Sequence, residues 1–344
     1  MMNTSQVAAS SVPTSGQGSL LATLRRSMSR NSLLFALLLL VIAVAINYSL
    51  QSNLFELRVL NGNLRVFLPL AVVVAGQAIV VIGGGIDLSV GAMVSLINTI
   101  LVTQLNAEST PTQVVLVFLL ACGAGILAGA VNGFFVAFLR LQPIVTTYAT
   151  SFVFSGLALL ILPRPGGTIP ADLSRLYRST PGEIPFVLYM MVLLAIVWLL
   201  LRSTRFGQFL YATGGKAEAA YATGVPVNFV RFMTYVLSGL FAALGAIALT
   251  MSISSGNARI GDDMTLDSIV AVVLGGTRLS GGQGGVIGPM IGVVILGVIR
   301  NIISFANVPT WSQTLVDALI IIFALAGPGI IRLLRNIIQS RVRA

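Results

Sequence analysis

Thr204-Arg-Phe-Gly-Gln-Phe-Leu-Tyr-Ala-Thr-Gly-Gly-Lys-Ala-Glu-Ala-Ala-Tyr-Ala-Thr-Gly-Val225 is a polar stretch set between two apolar runs, 185–201 and 229–251. Each run approaches the ~20 residues an α-helix needs to cross a bilayer, so the stretch reads as a loop returned to water between two crossings. Within it, Lys216-Ala-Glu-Ala-Ala-Tyr221 is rich in alanine and free of β-branched residues, which predicts a short helix. Gly214 and Gly215 stand before that helix and Gly224 is placed to stop it, because glycine takes the left-handed conformation that closes a helix C-terminus.

Working outward, the whole chain is of one kind. Of its 344 residues 56% are hydrophobic and only 9% charged, and the mean hydropathy of +0.97 excludes an ordinary soluble domain. Apolar runs at 32–50, 64–82, 88–106, 113–138, 143–162, 185–201, 229–251, 267–277, 286–304 and 313–331 predict an all-α, polytopic transmembrane helical bundle of about ten helices. The eighth run is short for a bilayer. Residues 1–31 read as a disordered N-terminal tail, 32–331 as the transmembrane domain and 332–344 as a C-terminal tail. Ala43-Val44-Ala45 mimics a signal-peptidase site but lies inside the first run, so that helix is expected to stay uncleaved. The single cysteine, Cys122, excludes an intrachain disulfide.

A net charge of +10 raises the question of nucleic acid, but topology accounts for it. Placing both termini and the loop 202–228 in the cytoplasm puts most Lys and Arg on that side, as the positive-inside bias requires. No nucleic-acid partner is expected.

Glycine carries the architecture. Gly125, Gly129 and Gly133 recur every fourth residue and predict a face on which another helix backbone comes close; Ser238 with Ala242, and Gly288 with Gly292, repeat the device. Two breaks are more specific: Gly84-Gly-Ile-Asp-Leu-Ser-Val-Gly91 aligns with Gly275-Gly-Thr-Arg-Leu-Ser-Gly-Gly282 and suggests an internal duplication. With ten crossings both breaks fall on the cytoplasmic side and the repeats are parallel; another count makes them inverted. Asp87 and Arg278 could bond each other or cap separate helix ends. Asp87, beside Gly84, Gly85 and Ser89, is read as structural, the N-cap that starts the third helix.

Catalysis finds no support. The chain has no histidine, so a Ser-His-Asp triad or a His-bearing metal site is excluded, and no metal ligands are assigned. Leu279-Ser-Gly-Gly-Gln283 spells the signature of ABC ATPases, but a phosphate-binding loop is absent: Gly215-Lys216 is followed by Ala217. The pentapeptide is a chance match in a glycine-rich loop.

From about residue 60 to 325 the chain resembles the permease family of sugar-type ABC importers, the ribose, galactose, xylose and autoinducer-2 group. The resemblance rests on Gly84–Gly91, Asn132-Gly133, Pro143 and Thr146, Thr204–Val225, Ser238-Gly-Leu240 and Leu266-Asp-Ser-Ile-Val-Ala-Val-Val-Leu-Gly-Gly-Thr277. It implies a type II-like ABC importer permease, multi-pass in the bacterial inner membrane. Such a permease is one half of a dimeric pore, with an identical or homologous second permease. It receives a monosaccharide or similar polyol from an extracytoplasmic binding protein. It is itself no enzyme and holds no cofactor, since a partner ATPase binds the ATP and Mg. By the same resemblance, Gly214, Gly215, Lys216, Ala217, Glu218, Ala219, Ala220 and Gly224 form the coupling helix region that meets that ATPase.

A sugar path favours neutral hydrogen-bonding groups inside apolar runs. Gln77, Asn98, Asn132, Thr146, Thr147, Tyr148, Thr150 and Ser151 are the candidates, each with an interhelical hydrogen bond as the plainer reading. Arg58, Glu183, Arg259, Asp262 and Asp263 are candidates for docking the binding protein. The chain departs from the family at Thr265, where Glu is usual before Leu-Asp, at Ser155, and around Ile302-Ile303-Ser304; these leave the sugar unidentified. An ion-coupled secondary sugar transporter is the alternative, for which few intramembrane carboxylates are present.

Overall fold

The computed structural model describes residues 32–306 together with 309, 315 and 319. The predicted tails at 1–31 and 332–344 and the tenth run, 313–331, lie outside the described residues apart from those single positions. The helices are α1 (Ser32–Leu50), α2 (Leu57–Ile82), α3 (Val90–Gln104), α4 (Pro111–Ala137), α5 (Pro143–Ile161), α6 (Ala171–Arg178), α7 (Phe186–Ser203), α8 (Arg205–Gly215), α9 (Ala217–Ala222), α10 (Val227–Ile253), α11 (Met264–Leu274) and α12 (Ile287–Phe305). Six of them, α2, α4, α5, α7, α10 and α12, are long and apolar enough to cross a membrane. The described residues contain no strand beyond an isolated bridge, Gly166 to Gly256.

The nine predicted runs that can be compared each become a helix; α1, α3 and α11 fall outside the six named above, and the last two are far too short for a full crossing. At about 1.5 Å per residue, α3 is about 22 Å long and α11 about 16 Å, against a hydrocarbon core of about 30 Å.

Small residues set the packing. α2 and α10 lie antiparallel at the centre: a Cβ on Gly76 would meet Phe241 and Ser238, and one on Gly245 would meet Val73 and the Pro69 carbonyl. The predicted face of α4 is used in full, with Gly125 against the Gly239 carbonyl, Gly129 against that of Tyr235 and Gly133 against Phe232. Gly288 and Gly292 bring α12 equally close to Gly275 and Ala271. Where lipid offers no hydrophobic drive between helices, such backbone approach supplies the van der Waals contact that holds them.

Two chain segments follow one pattern in opposite senses. After α2, residues 83–89 leave the helix near the loop end of the bundle and turn back inward to α3. After α10, residues 254–263 turn back inward from the other end to α11. The second segment descends along α3: Asn98 Nδ2 donates to Thr250 Oγ1 at 2.8 Å, Asn257 N–H to Asn98 Oδ1 at 3.0 Å, Gly261 N–H to Ser95 Oγ at 2.9 Å, and Gly91 N–H to Thr265 Oγ1 at 3.1 Å. The N-termini of the two short helices therefore meet inside the bundle, with Gly91 and Gly261 backbone against backbone. This is an inverted pair of broken helices of the kind transporters use, and it joins residues 83–89 to 254–263, a different pair of segments from the two glycine motifs, whose orientation the sequence left open.

Those motifs are nonetheless a true likeness of local structure, shifted by one residue. Gly84 (φ +85°) and Gly276 (φ +80°) occupy the same left-handed position of a Schellman turn. In one, Gly84 N–H bonds Val81 O and Gly85 N–H bonds Val80 O; in the other, Gly276 N–H bonds Val273 O and Thr277 N–H bonds Val272 O. Gly83 thus corresponds to Gly275, and the ambiguity arises because three glycines follow one another.

At the other end, α6 clamps α2. Pro69 has no N–H to give the Arg65 carbonyl one turn back, and Tyr177, fully buried, donates its hydroxyl to that carbonyl at 2.8 Å. Asn61 Nδ2 adds a bond to Arg178 O at 2.9 Å. Tyr177→Phe is expected to lower stability by about 1 kcal/mol, read as a small fall in the melting temperature of detergent-solubilised protein; no change would mean that the carbonyl finds another donor.

Candidate coupling and translocation site

The loop quoted at the outset forms two helices. Thr204 caps α8, accepting from Gly207 N–H at 3.2 Å. The predicted short helix is α9; Gly214 and Gly215 stand before it as the last residues of α8, and Lys216 alone joins the two. Gly224 (φ +84°) closes α9 in a third Schellman turn, its N–H bonded to Tyr221 O and that of Val225 to Ala220 O. Ala220 and Val225 are buried beneath the helix, while Lys216, Glu218, Ala219, Tyr221, Ala222 and Gly224 are exposed and Ala217 is half-buried. Tyr221 leaves 75% of its surface uncovered. It was not among the sequence candidates, although an aromatic residue closing an alanine-rich helix was the available signal.

Beneath this surface, backbone meets backbone. Gly214 abuts the Ile82 carbonyl and comes within 2.7 Å of Gly282 N when a Cβ is placed on it. Gly282 N–H donates to Ile82 O at 2.9 Å, and Gly281 (φ +82°) rests on Gly214 and Gly84. The Leu279–Gln283 pentapeptide is thus a loop that seats α8 on the ends of α2 and α11. Tyr211 fastens it with a hydroxyl bond to Gly284 O at 2.7 Å. Gly215 has nothing near its Cβ position.

From Gly84 the chain rises to a buried polar network. Asp87 Oδ1 accepts from Ser89 N–H at 2.9 Å and from the Ser89 hydroxyl at 2.6 Å, and Oδ2 accepts from the Ser238 hydroxyl at 2.9 Å. Asn132 Nδ2 donates to Ser89 Oγ at 2.7 Å and the Thr150 hydroxyl to Asn132 Oδ1 at 2.6 Å. Thr147 Oγ1 accepts from Leu88 N–H at 2.9 Å and donates to Pro143 O at 2.9 Å. The chain of donors runs from α5 through α4 to one carboxylate, which α10 also serves. Ser238 lies about 17 Å along an α10 of about 40 Å, so the network sits near mid-depth.

Asp87 is therefore not the N-cap. That position is Ser89, whose side chain makes no capping bond, and Asp87 acts two residues earlier as the acceptor of an Asx turn. Nor does it bond Arg278, which is exposed on the loop after α11.

The other path candidates scatter. Asn98 is buried and bonded as above to the descending segment. Gln77 is fully buried in α2, and Thr146 is buried in α5; neither side chain has a hydrogen-bond partner among the described residues. Tyr148 is exposed, edge-on to Phe152 with centroids 4.9 Å apart, and Ser151 donates its hydroxyl to Tyr148 O at 2.6 Å. The docking candidates are all exposed and come from three separate segments. Arg58 opens α2 and Glu183 sits in the turn after α6, whereas Arg259, Asp262 and Asp263 belong to the segment that descends along α3.

A long apolar helical bundle with six helices able to cross a bilayer defines a multi-pass membrane protein. Residues 59–325 match the family described as branched-chain amino acid transport system / permease component, and the chain belongs to that family. The ribose import permease protein RbsC of Escherichia coli K12 is 32% identical over 295 residues, covering 84% of this chain and 91% of that protein. RbsC of Bacillus subtilis 168 is 35% identical over 290 residues, with 83% and 89% covered. The galactose/methyl galactoside import permease protein MglC of Escherichia coli K12 is 32% identical over 273 residues, with 74% and 81% covered. Within the family, the chain is a permease of the sugar-type ABC importer group. No solved structure matches it.

Proposed function

We propose that this chain is the membrane subunit of an ATP-driven importer in a bacterial inner membrane, and that it passes a monosaccharide or similar polyol inward from an extracytoplasmic binding protein. Two permease subunits would form the pore. A cytoplasmic ATPase that binds ATP and Mg would dock on α9, with both chain termini on the same side. The observation that carries this reading is an exposed short helix, α9, joined by α8 through bare backbone contacts to the ends of two membrane helices. A force applied to such a helix is delivered to residues 83–89 and 275–282 without passing through flexible side chains. The names of the similar ribose and galactose permeases point to a sugar as the cargo. The ion-coupled alternative draws no support from Asp87, whose oxygens already accept three protein donors.

Copurification of the tagged chain with its neighbours tests the assembly. Tyr221→Ala and Glu218→Arg are expected to leave membrane abundance and melting temperature near the parent values. Losing an exposed aromatic anchor removes about 2 kcal/mol from a docked interface, so ATPase recovered with the permease should fall about thirtyfold in apparent affinity and uptake should fall with it. Equal recovery of ATPase with both variants would remove α9 as the docking helix.

A further inference from the structure

A partly open cavity of about 290 Å³ lies between α2, α11, α12 and the segment before α11, and none of its lining residues belongs to the coupling surface or to the Asp87 network. Its polar lining comes from Asn63, Asp263, Asp267, Arg300 and Asn301, and Phe67 contributes an aromatic wall. Asp267 lies in the first turn of α11, where the N-terminal helix dipole favours a carboxylate. Both of its oxygens accept from Arg300 Nη2 at 2.8 Å. The Asp267 side chain is 11% exposed and that of Arg300 44%. Beside Arg300, Asn301 Nδ2 is buried with no hydrogen-bond partner among the described residues.

We propose that this cavity is a substrate subsite within the permease, built for one neutral monosaccharide-sized polyol. The inference rests on the importer reading and adds to it a place where cargo is held after leaving the binding protein. The carboxylate accepts, the guanidinium donates, and the two amides do both, which matches the paired donor and acceptor character of neighbouring hydroxyls. The volume lies at the lower edge of the roughly 300–1,000 Å³ usual for small-molecule pockets, enough for one small ring and not for two. Asp267 and Arg300 balance each other, and Asp263 leaves the lining negative, so sugar acids and sugar phosphates are disfavoured.

The test uses the complete transporter in proteoliposomes, with its ATPase and binding protein, and measures sugar delivered per ATP hydrolysed. For Asn63→Leu with Asn301→Leu, that ratio is expected to fall at least tenfold, while binding-protein-stimulated hydrolysis stays within twofold of the parent. An unchanged ratio overturns the subsite. So does a matched fall in uptake and hydrolysis, which is what a merely structural role would produce. Stimulated hydrolysis missing in the unaltered protein would instead defeat the importer reading, and is seen before any variant is compared.

Discussion

Gly214→Ala is expected to abolish uptake and to reduce folded protein, whereas Gly215→Ala, one position further on, should resemble the parent. A methyl group at Gly214 enters the space of the Ile82 carbonyl and crowds Gly282 N. Neither is the end of a side chain that could swing away; both are backbone, and Gly282 N–H is itself bonded to Ile82 O. Overpacking of this kind costs about 1–3 kcal/mol, and here relief requires α8 to lift from the ends of α2 and α11. At Gly215 the same methyl meets open space and the backbone needs no left-handed conformation. Extracted yield, melting temperature and uptake measured side by side decide it. If the two variants behave alike, the backbone seat of α8 is not what holds the loop.

Asp87→Leu should be the most damaging single change in the network, and Asp87→Asn should be tolerated. Leucine strands the Ser89 N–H, the Ser89 hydroxyl and the Ser238 hydroxyl in a buried site. At about 1–3 kcal/mol for each unsatisfied buried group, the loss is on the order of 3 kcal/mol or more, enough to unfold a marginal bundle. Asparagine keeps one oxygen for Ser89, and its amide nitrogen can donate to Ser238 once that hydroxyl turns to accept. Melting temperature and uptake together read the outcome. If Asp87→Asn loses transport while remaining as stable as the parent, the negative charge itself matters and a purely structural role fails.

Much of this architecture was legible along the chain. Long apolar runs fix helices because membrane helices need length and little else, and the four-residue glycine spacing of α4 fixed the face it turns to α10. Depth was not legible. The run at 88–106 looks like a full crossing because its length, 19 residues, is close to that of a spanning helix, and only the meeting of Gly91 with Gly261 shows α3 beginning inside the bundle. Which polar residues belong together was likewise a tertiary matter. Asn132, Thr147 and Thr150 stood out as polar groups in apolar runs, but Ser238 read as a small packing residue and is in fact a donor to Asp87. Asp267 and Arg300 lie 33 residues apart in sequence, and the motif containing Asp267 gave no sign of its partner.

The seat of α8 also separates two kinds of change in evolution and in engineering. Its joints are carbonyls and amides of Ile82, Gly214, Gly281 and Gly282, which almost any neighbouring side chain leaves intact. The exposed side chains of α9 are attached to that joint but take no part in it. Under the docking proposed above, residues such as Lys216, Glu218 and Tyr221 are free to be exchanged to suit a different ATPase while the backbone seat beneath them stays the same.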